Sequence, residues 1–148
     1  MMLFNEKNPL MGFRFLVEVG GILTSGFSEV SGLQADTEVE TIREGGTNDF
    51  AYKLPKATTF PNLVLKKGMV SPASEQLWGW YRNVIAGNVV RMPIFILIQS
   101  EDESISPTSI WCAWDAFPVK WVGPTLSGKS QEVAIETLEF AHHGIERV

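Results

Sequence analysis

The stretch Phe13-Arg14-Phe15-Leu16-Val17-Glu18-Val19 places four apolar side chains at alternate positions, and two of the three residues between them, Arg14 and Glu18, are charged. Because successive side chains of a β-strand point to opposite faces of a sheet, this period of two predicts a strand with one buried face. Residues 132–142 alternate in the same way near the other end of the chain. Both ends are therefore predicted to contribute strands to a sheet.

Further strand patterns lie between these two segments, and turn residues such as Gly, Pro, Asn and Asp separate them. They cover residues 27–33, 37–43, 63–66, 89–99, 110–117 and 119–122. Residues 27–33 and 37–43 carry little apolar content on one face, which indicates a surface that meets solvent or a partner. The total is about eight strands.

One helix is predicted between Ser71 and Gly87. Ser71 followed by Pro72 is typical of an N-cap residue and a first helical position, and Gly87 provides the stop. An apolar stripe at spacings of three and four residues predicts that the helix lies against a sheet. The stripe consists of Leu77, Tyr81, Val84 and Ile85, with Trp78 or Trp80 at its margins.

Residues 44–61 show no regular period. Gly and Pro interrupt the segment repeatedly, and it contains the aromatic residues Phe50, Tyr52 and Phe60. A long irregular loop is uncommon in a compact domain and usually has a function. We therefore expect a functional loop here.

Together these elements predict a mainly β fold, a small β-barrel or sandwich with one flanking α-helix. The chain has 148 residues, of which 45% are hydrophobic, and this fits a single domain spanning residues 1–148.

The overall charge argues against a polyanion-binding protein. The formal net charge is -5, whereas a specific nucleic-acid site needs a basic surface for phosphates. The N-terminus lacks the pattern of a secretory signal peptide, and no apolar stretch reaches the roughly 20 residues of a membrane span. We expect synthesis in the cytoplasm without a membrane anchor, and a buried, structural role for the lone Cys112.

The segment Gly123-Pro124-Thr125-Leu126-Ser127-Gly128-Lys129-Ser130 matches the spacing of a phosphate-binding loop. A nucleotide site of this type needs a helix directly after the loop, so that the positive helix end faces the phosphates. The residues that follow alternate like a strand and leave too little chain for a parallel sheet. Turns between two strands are the favoured interpretation, and a nucleotide hydrolase using Lys129 and Ser130 is kept as an alternative.

No other pattern selects a catalytic, metal or cofactor site. His142 and His143 are adjacent, so on a strand they would point to opposite faces and could not bind one ion together. The five tryptophans are interpreted as core and interface residues, with sugar stacking as the alternative. We expect no enzyme activity, no metal and no cofactor.

Taken in order, several segments resemble the tail-tube protein family of T4-like phages and the inner-tube proteins of extracellular contractile injection systems. The resemblance covers nearly the whole chain. The segments that carry it are residues 13–19, 26–33, Arg43-Glu44-Gly45-Gly46, Asn48-Asp49-Phe50, Lys53-Leu54-Pro55, 63–68, Trp78-Gly79-Trp80-Tyr81, 121–124 and 132–136.

The resemblance implies a structural role: hexameric rings of this chain stack into a rigid tube, and cargo passes along the channel. It also implies partners in the sheath and baseplate, and a location in a phage tail-like particle. In that family the loop after the Glu-Gly-Gly motif contributes to contacts between subunits. Carried over to this sequence, the interface residues are Glu44, Gly45, Gly46, Asn48, Asp49, Phe50, Lys53, Leu54 and Pro55.

An acidic channel wall would keep a polyanionic cargo from binding, and Asp36, Glu38 and Glu40 on the polar strand are the candidates for it. Related non-catalytic parts, such as a tube-initiating ring at the baseplate or a tube terminator, are alternatives within the same fold. Outside that family the alternatives are the nucleotide hydrolase and a carbohydrate-binding β-sandwich that uses the tryptophans.

Overall fold

A computed structural model describes residues 15–24, 26–43, 45–46, 49–68, 73–99, 105–129 and 133–148. In this part of the chain there are ten strands and one helix. They are β1 (Phe15–Val19), β2 (Ile22–Thr24), β3 (Phe27–Ser31), β4 (Asp36–Ile42), β5 (Tyr52–Thr59), β6 (Leu63–Gly68), α1 (Ala73–Ile85), β7 (Met92–Gln99), β8 (Ile105–Val122), β9 (Ile135–Ala141) and β10 (Ile145–Arg147).

Eight of the strands form one antiparallel sheet. Its order is β2-β1-β7-β8-β9-β6-β3, and β10 pairs with β8 beside this path. The strands β2 and β3 are the two edges, so the sheet curls without closing, although β1 approaches β3. The mainly β fold with one flanking helix is confirmed, and among the described residues the barrel is open.

The long strand β8 joins the two halves of this sheet. Its first part pairs with β7 on one side and β10 on the other, and its last part pairs with β9. An extra residue on β8 between the pairs Ile94–Ala113 and Met92–Ala116 makes a bulge, and Asp115 lies there with a φ of 51°. Aspartate tolerates this left-handed conformation better than most residues. The separate strands predicted at 110–117 and 119–122 are therefore one bent strand.

The core lies between the two halves of the sheet and under α1. Val17, Leu63, Leu65, Leu138 and Phe140 are fully buried, as the alternation in β1, β6 and β9 predicts. Gly32, with a φ of 92°, lies where a Cβ would come within 2.2 Å of the Asn62 carbonyl oxygen. This turn therefore requires glycine.

Helix α1 packs across β8. Leu77 and Trp80 face the core, and the Trp80 indole N–H donates to the Val90 carbonyl at 2.7 Å. The predicted stripe is partly wrong, because Trp80 belongs to its centre and Ile85 is exposed. The predicted cap at Ser71 and Pro72 lies outside the described residues. No helix in the described ranges is long and apolar enough to cross a bilayer.

A buried ion pair connects the sheet to the helix. The Lys67 Nζ lies 3.9 Å from Glu136 Oε1, and both side chains are almost completely buried. Lys67 also donates to Ser74 Oγ on α1 at 2.9 Å, and Glu136 Oε2 accepts from the Trp121 indole at 3.0 Å. Burial lowers the pKa of Lys67, and the charge of Glu136 opposes part of that shift. The pair holds β6, β9, β8 and α1 in one arrangement.

The segment 44–61 is more regular than predicted, because β5 occupies Tyr52–Thr59 and pairs with β4. The prediction of a long irregular loop there is wrong. Pro55 makes the sequence look unlike a strand, because proline has no N–H to donate to the hydrogen bonds between strands. It is tolerated next to a shift in register between Thr37 and Val39, where pairing is already interrupted.

We predict that Glu136→Gln lowers the free energy of unfolding by about 3–5 kcal/mol, because it removes the buried carboxylate that lies 3.9 Å from the Lys67 ammonium. The amide keeps an acceptor for Trp121, so the effect isolates the charge. In the double variant Lys67→Met with Glu136→Gln neither member of the pair carries a charge, and more than half of the loss should be recovered. Urea unfolding of the three proteins checks this, and equal stability of the single variant and the parent would contradict it.

Candidate assembly surface

The strands β4 and β5 form a two-stranded sheet of their own, which we call the arm. Every residue of both strands is exposed, and neither strand pairs with the main sheet. An isolated two-stranded hairpin is marginally stable in water and needs packing against something else. The arm is therefore the part of the described chain with most to gain from a partner.

The pairing register sorts the side chains of the arm onto two faces. Glu40 lies opposite Leu54, and Ile42 lies opposite Tyr52, so these pairs share one face. Thr41 with Lys53, and Val39 with Pro55, lie on the other face. At the base of the arm the hydroxyls of Thr37 and Thr58 are hydrogen-bonded at 2.8 Å.

Four apolar residues at the outer end of the arm, Ile42, Phe50, Tyr52 and Leu54, are called the apolar tip. Between 42% and 57% of each residue's surface is exposed. The Phe50 and Tyr52 rings pack edge to face, with centroids 5.1 Å apart. Exposed apolar side chains that cluster in this way are typical of interaction sites.

The predicted interface residues are distributed along this arm. Gly45 and Gly46 lie in an exposed turn, and Asp49 and Phe50 lead into β5. Lys53, Leu54 and Pro55 lie in β5 itself. Glu44 and Asn48 lie outside the described residues. Ile42 and Val39 on β4 lie opposite Tyr52 and Pro55 and are also exposed, so they belong to the same exposed arm. The sequence analysis missed them, because hydrophobic periodicity does not predict the pairing of β4 with β5.

The three acidic residues predicted for a channel wall lie on β4 and are exposed. The Gln34 amide donates to Asp36 Oδ2 at 2.7 Å. Glu40 points to the same face as Leu54, so it borders the apolar tip, whereas Asp36 lies at the base of the arm. The acidic and apolar parts of this face are thus adjacent.

The segment with phosphate-loop spacing connects β8 to β9. Residues 123–127 have no regular structure, and a turn follows at Gly128 and Lys129, whose backbone N–H donates to Ser127 Oγ at 3.3 Å. Ser130 lies outside the described residues. The next regular element among the described residues is the strand β9, as the alternation predicts, whereas a phosphate loop opens directly into a helix.

The other residues considered for chemistry occupy separate places. The His142 Nε2–H donates to the Pro61 carbonyl at 2.9 Å, while His143 Nδ1 lies 3.2 Å from Asp115 Oδ2. The described residues contain no group of three or more histidine, cysteine or acidic side chains that could hold a metal ion. Cys112 is fully buried, and burial, with a contribution from Glu146, raises its pKa to about 11.

Trp80 is buried, while Trp78 and Trp114 are partly exposed. The Trp78 and Trp121 rings pack with centroids 4.8 Å apart, and the Trp114 indole donates to Glu146 at 2.9 Å. The Trp111 ring lies beside the Arg147 guanidinium. Each tryptophan therefore contacts another part of the same chain.

The described residues thus form a mainly β domain with one helix and an exposed two-stranded arm. The profile of the T4-like virus tail tube protein gp19 family matches residues 11–146. The chain belongs to this family. The resemblance noted in the sequence is thereby confirmed. No curated protein sequence matches the chain significantly.

Solved structures share the fold along almost the whole chain. A chain of the anti-feeding prophage baseplate is 27% identical with a TM-score of 0.77, and the match covers 95% of each chain. A chain of the sheath-tube complex of the extracellular contractile injection system PVC is 24% identical with a TM-score of 0.81, covering 97% of this protein and 95% of that chain. A chain of the anti-feeding prophage cap is 22% identical with a TM-score of 0.82, and the match covers 98% of this protein and 95% of that chain.

We predict that the apolar tip contributes little to the stability of a single copy of this tail-tube family protein. Leu54→Ala should change the free energy of unfolding of the unassembled chain by less than about 0.5 kcal/mol. The matched change Leu138→Ala in the core should lower it by about 2–5 kcal/mol. Urea unfolding at low protein concentration measures both, and a comparable loss in the two variants would show that the arm packs on its own body.

Proposed function

We propose that this protein is a structural subunit of the inner tube of a contractile injection system or phage tail, in which hexameric rings stack into a conduit. The rings would be enclosed by a sheath and begin at a baseplate, in a phage tail-like particle. The number six comes from the family resemblance. The proposed role lies in assembly and involves no catalysis.

The observation that carries this proposal is the unpartnered arm. Its apolar tip is exposed in the single copy, and its two strands pair only with each other. A second copy of the chain is a partner that is always present at equal concentration. Family membership supports this occupant, because tail tube proteins function as assemblies.

The symmetry of the contact decides what it builds. A head-to-tail contact that closes by rotation gives a ring, and one that does not close gives a filament. Besides the arm, the main sheet ends at two edge strands, β2 and β3, in the part of the chain that the structure describes. Two separate contacts are sufficient for rings that stack, which is the architecture proposed.

A cap, a terminator or a baseplate ring with the same fold is the alternative. Chains from an anti-feeding prophage baseplate and cap, and from a PVC sheath/tube terminator, share this fold. These roles differ from the proposed one in the number of copies in each particle.

We predict that the purified protein assembles into hollow tubes, or lies along the whole length of particles when it is produced with its neighbours. Negative-stain electron microscopy with a label on the chain checks this. Labelling at one end only would favour the initiator or terminator. A chain that remains monomeric at high concentration and occurs in no particle would contradict the proposal.

We also propose that acidic residues of β4 face the channel, where they would repel a polyanionic cargo. The double reversal Asp36→Lys with Glu38→Lys should leave assembly intact and make the tubes retain a labelled oligonucleotide, which parent tubes release. The single reversals Glu38→Lys and Glu75→Lys, the latter on the exposed surface of α1, change the net charge equally, so the comparison between them controls for net charge. If cysteines placed at positions 36 and 38 are protected from reagents in assembled tubes, the residues lie between copies and the assignment is wrong.

A further inference from the structure

We propose, as a refinement that rests on the assembly role above, that the apolar tip of the arm docks onto one defined surface of a second copy. This surface is the C-terminal end of α1 and the loop after it. Its residues are Arg82, Ile85, Val89 and Val90, which we call the receiving patch. The contact is heterologous, because the two surfaces are different parts of the chain.

Three of the four residues of the receiving patch are apolar and exposed. Ile85 is 65% exposed, Val89 47% and Val90 52%. Three apolar side chains that are close in sequence and exposed to this degree form a surface that a partner could cover. The apolar tip of the arm has the matching composition, with two aromatic and two branched aliphatic side chains.

The receiving patch is held in a fixed conformation before any partner arrives. The backbone N–H groups of Ala86, Gly87 and Asn88 donate to carbonyls of the last helical turn at 2.8–3.1 Å. The Trp80 indole donates to the Val90 carbonyl, which anchors the end of the loop to the helix. A rigid surface loses little conformational entropy on binding, so more of the free energy gained by burying its apolar side chains contributes to affinity.

Charge distinguishes this surface from other exposed apolar positions. Arg82 is exposed, and no carboxylate among the described residues lies within ion-pair distance of it. On the arm, Glu40 borders the apolar tip and lies on the same face as Leu54. Docking of the tip beside Ile85 would bring Glu40 toward Arg82 of the second copy, where the attraction would fix the orientation.

One competing surface is the outer face of β8 and β9, where Val122 and Ile135 are exposed. Its cations already have partners. Lys120 lies 3.9 Å from Glu139, and the neighbouring Lys66 lies 3.0 Å from Glu29. Glu40 would therefore meet cations that are already paired on that face, and an arginine without an ion pair among the described residues on the receiving patch. In this arrangement Glu40 belongs to the interface, and Asp36 and Glu38 remain available to the channel.

Cross-linking tests the contact directly. A chain carrying Leu54→Cys and Val89→Cys is assembled, treated with a short bismaleimide and run on a denaturing gel. We expect a ladder of covalent multimers, while each single variant remains monomeric on the gel. The native Cys112 gives little background, because it is buried and its pKa is raised to about 11. The matched control pair, Leu54→Cys with Ile135→Cys, should give no ladder.

A ladder from the control pair, or none from the Val89 pair in tubes that form normally, overturns this inference and leaves the tube role intact. If the parent chain forms no assembly, it is the proposed function that fails. Where the double variant does not assemble, the two single variants are mixed before assembly, and cross-linked dimers are expected instead of a ladder.

A charge exchange provides a second measurement without cysteines. Glu40→Arg and Arg82→Glu should each raise the concentration required for assembly by about tenfold, which corresponds to the loss of one favourable charge contact. The double variant should return most of the way to the parent value. Single variants that assemble like the parent, or a double variant no better than either single one, would contradict the contact between Glu40 and Arg82.

Discussion

The continuous strand β8 is the constraint on which the rest of the fold depends. Its first part is hydrogen-bonded to β7 and β10, and its last part to β9. The bulge at Asp115 turns the strand between these two sets of partners. Because one strand serves both halves of the sheet, the two apolar faces enclose a common core, and α1 covers β8. A disruption of this strand would separate the halves.

The sequence predicts best those elements whose apolar side chains are buried in the common core. Strands β1 and β9 follow their period of two closely, since Val17, Leu138 and Phe140 each occupy a buried position. The sequence predicts the helix with nearly correct bounds but a displaced buried face, because a period near 3.6 does not indicate which of the adjacent aromatic residues Trp80 and Tyr81 is buried. The family assignment depended on the order of many weak segments.

The arm was predicted least well, and the reason is physical. Its side chains face no core in the single copy, so hydrophobic periodicity carries no information about β5, and Pro55 suggests a break. The prediction for Val89 and Val90 is wrong for the opposite reason. Their apolar character predicts a buried strand, whereas both residues follow the helix and are exposed. Hydrophobic periodicity indicates that a side chain is buried. It does not indicate whether its own chain or another copy buries it.

The burial of Cys112 becomes important if many copies of the chain assemble side by side. A thiol on the surface would be repeated at every position of a large particle, and each neighbouring pair would be an opportunity for accidental oxidation into a covalent dimer. Here the sulfur lies inside the sheet, and its raised pKa keeps it in the unreactive protonated form. A structure built from this chain would therefore stay chemically uniform in oxidising surroundings, without any disulfide to maintain.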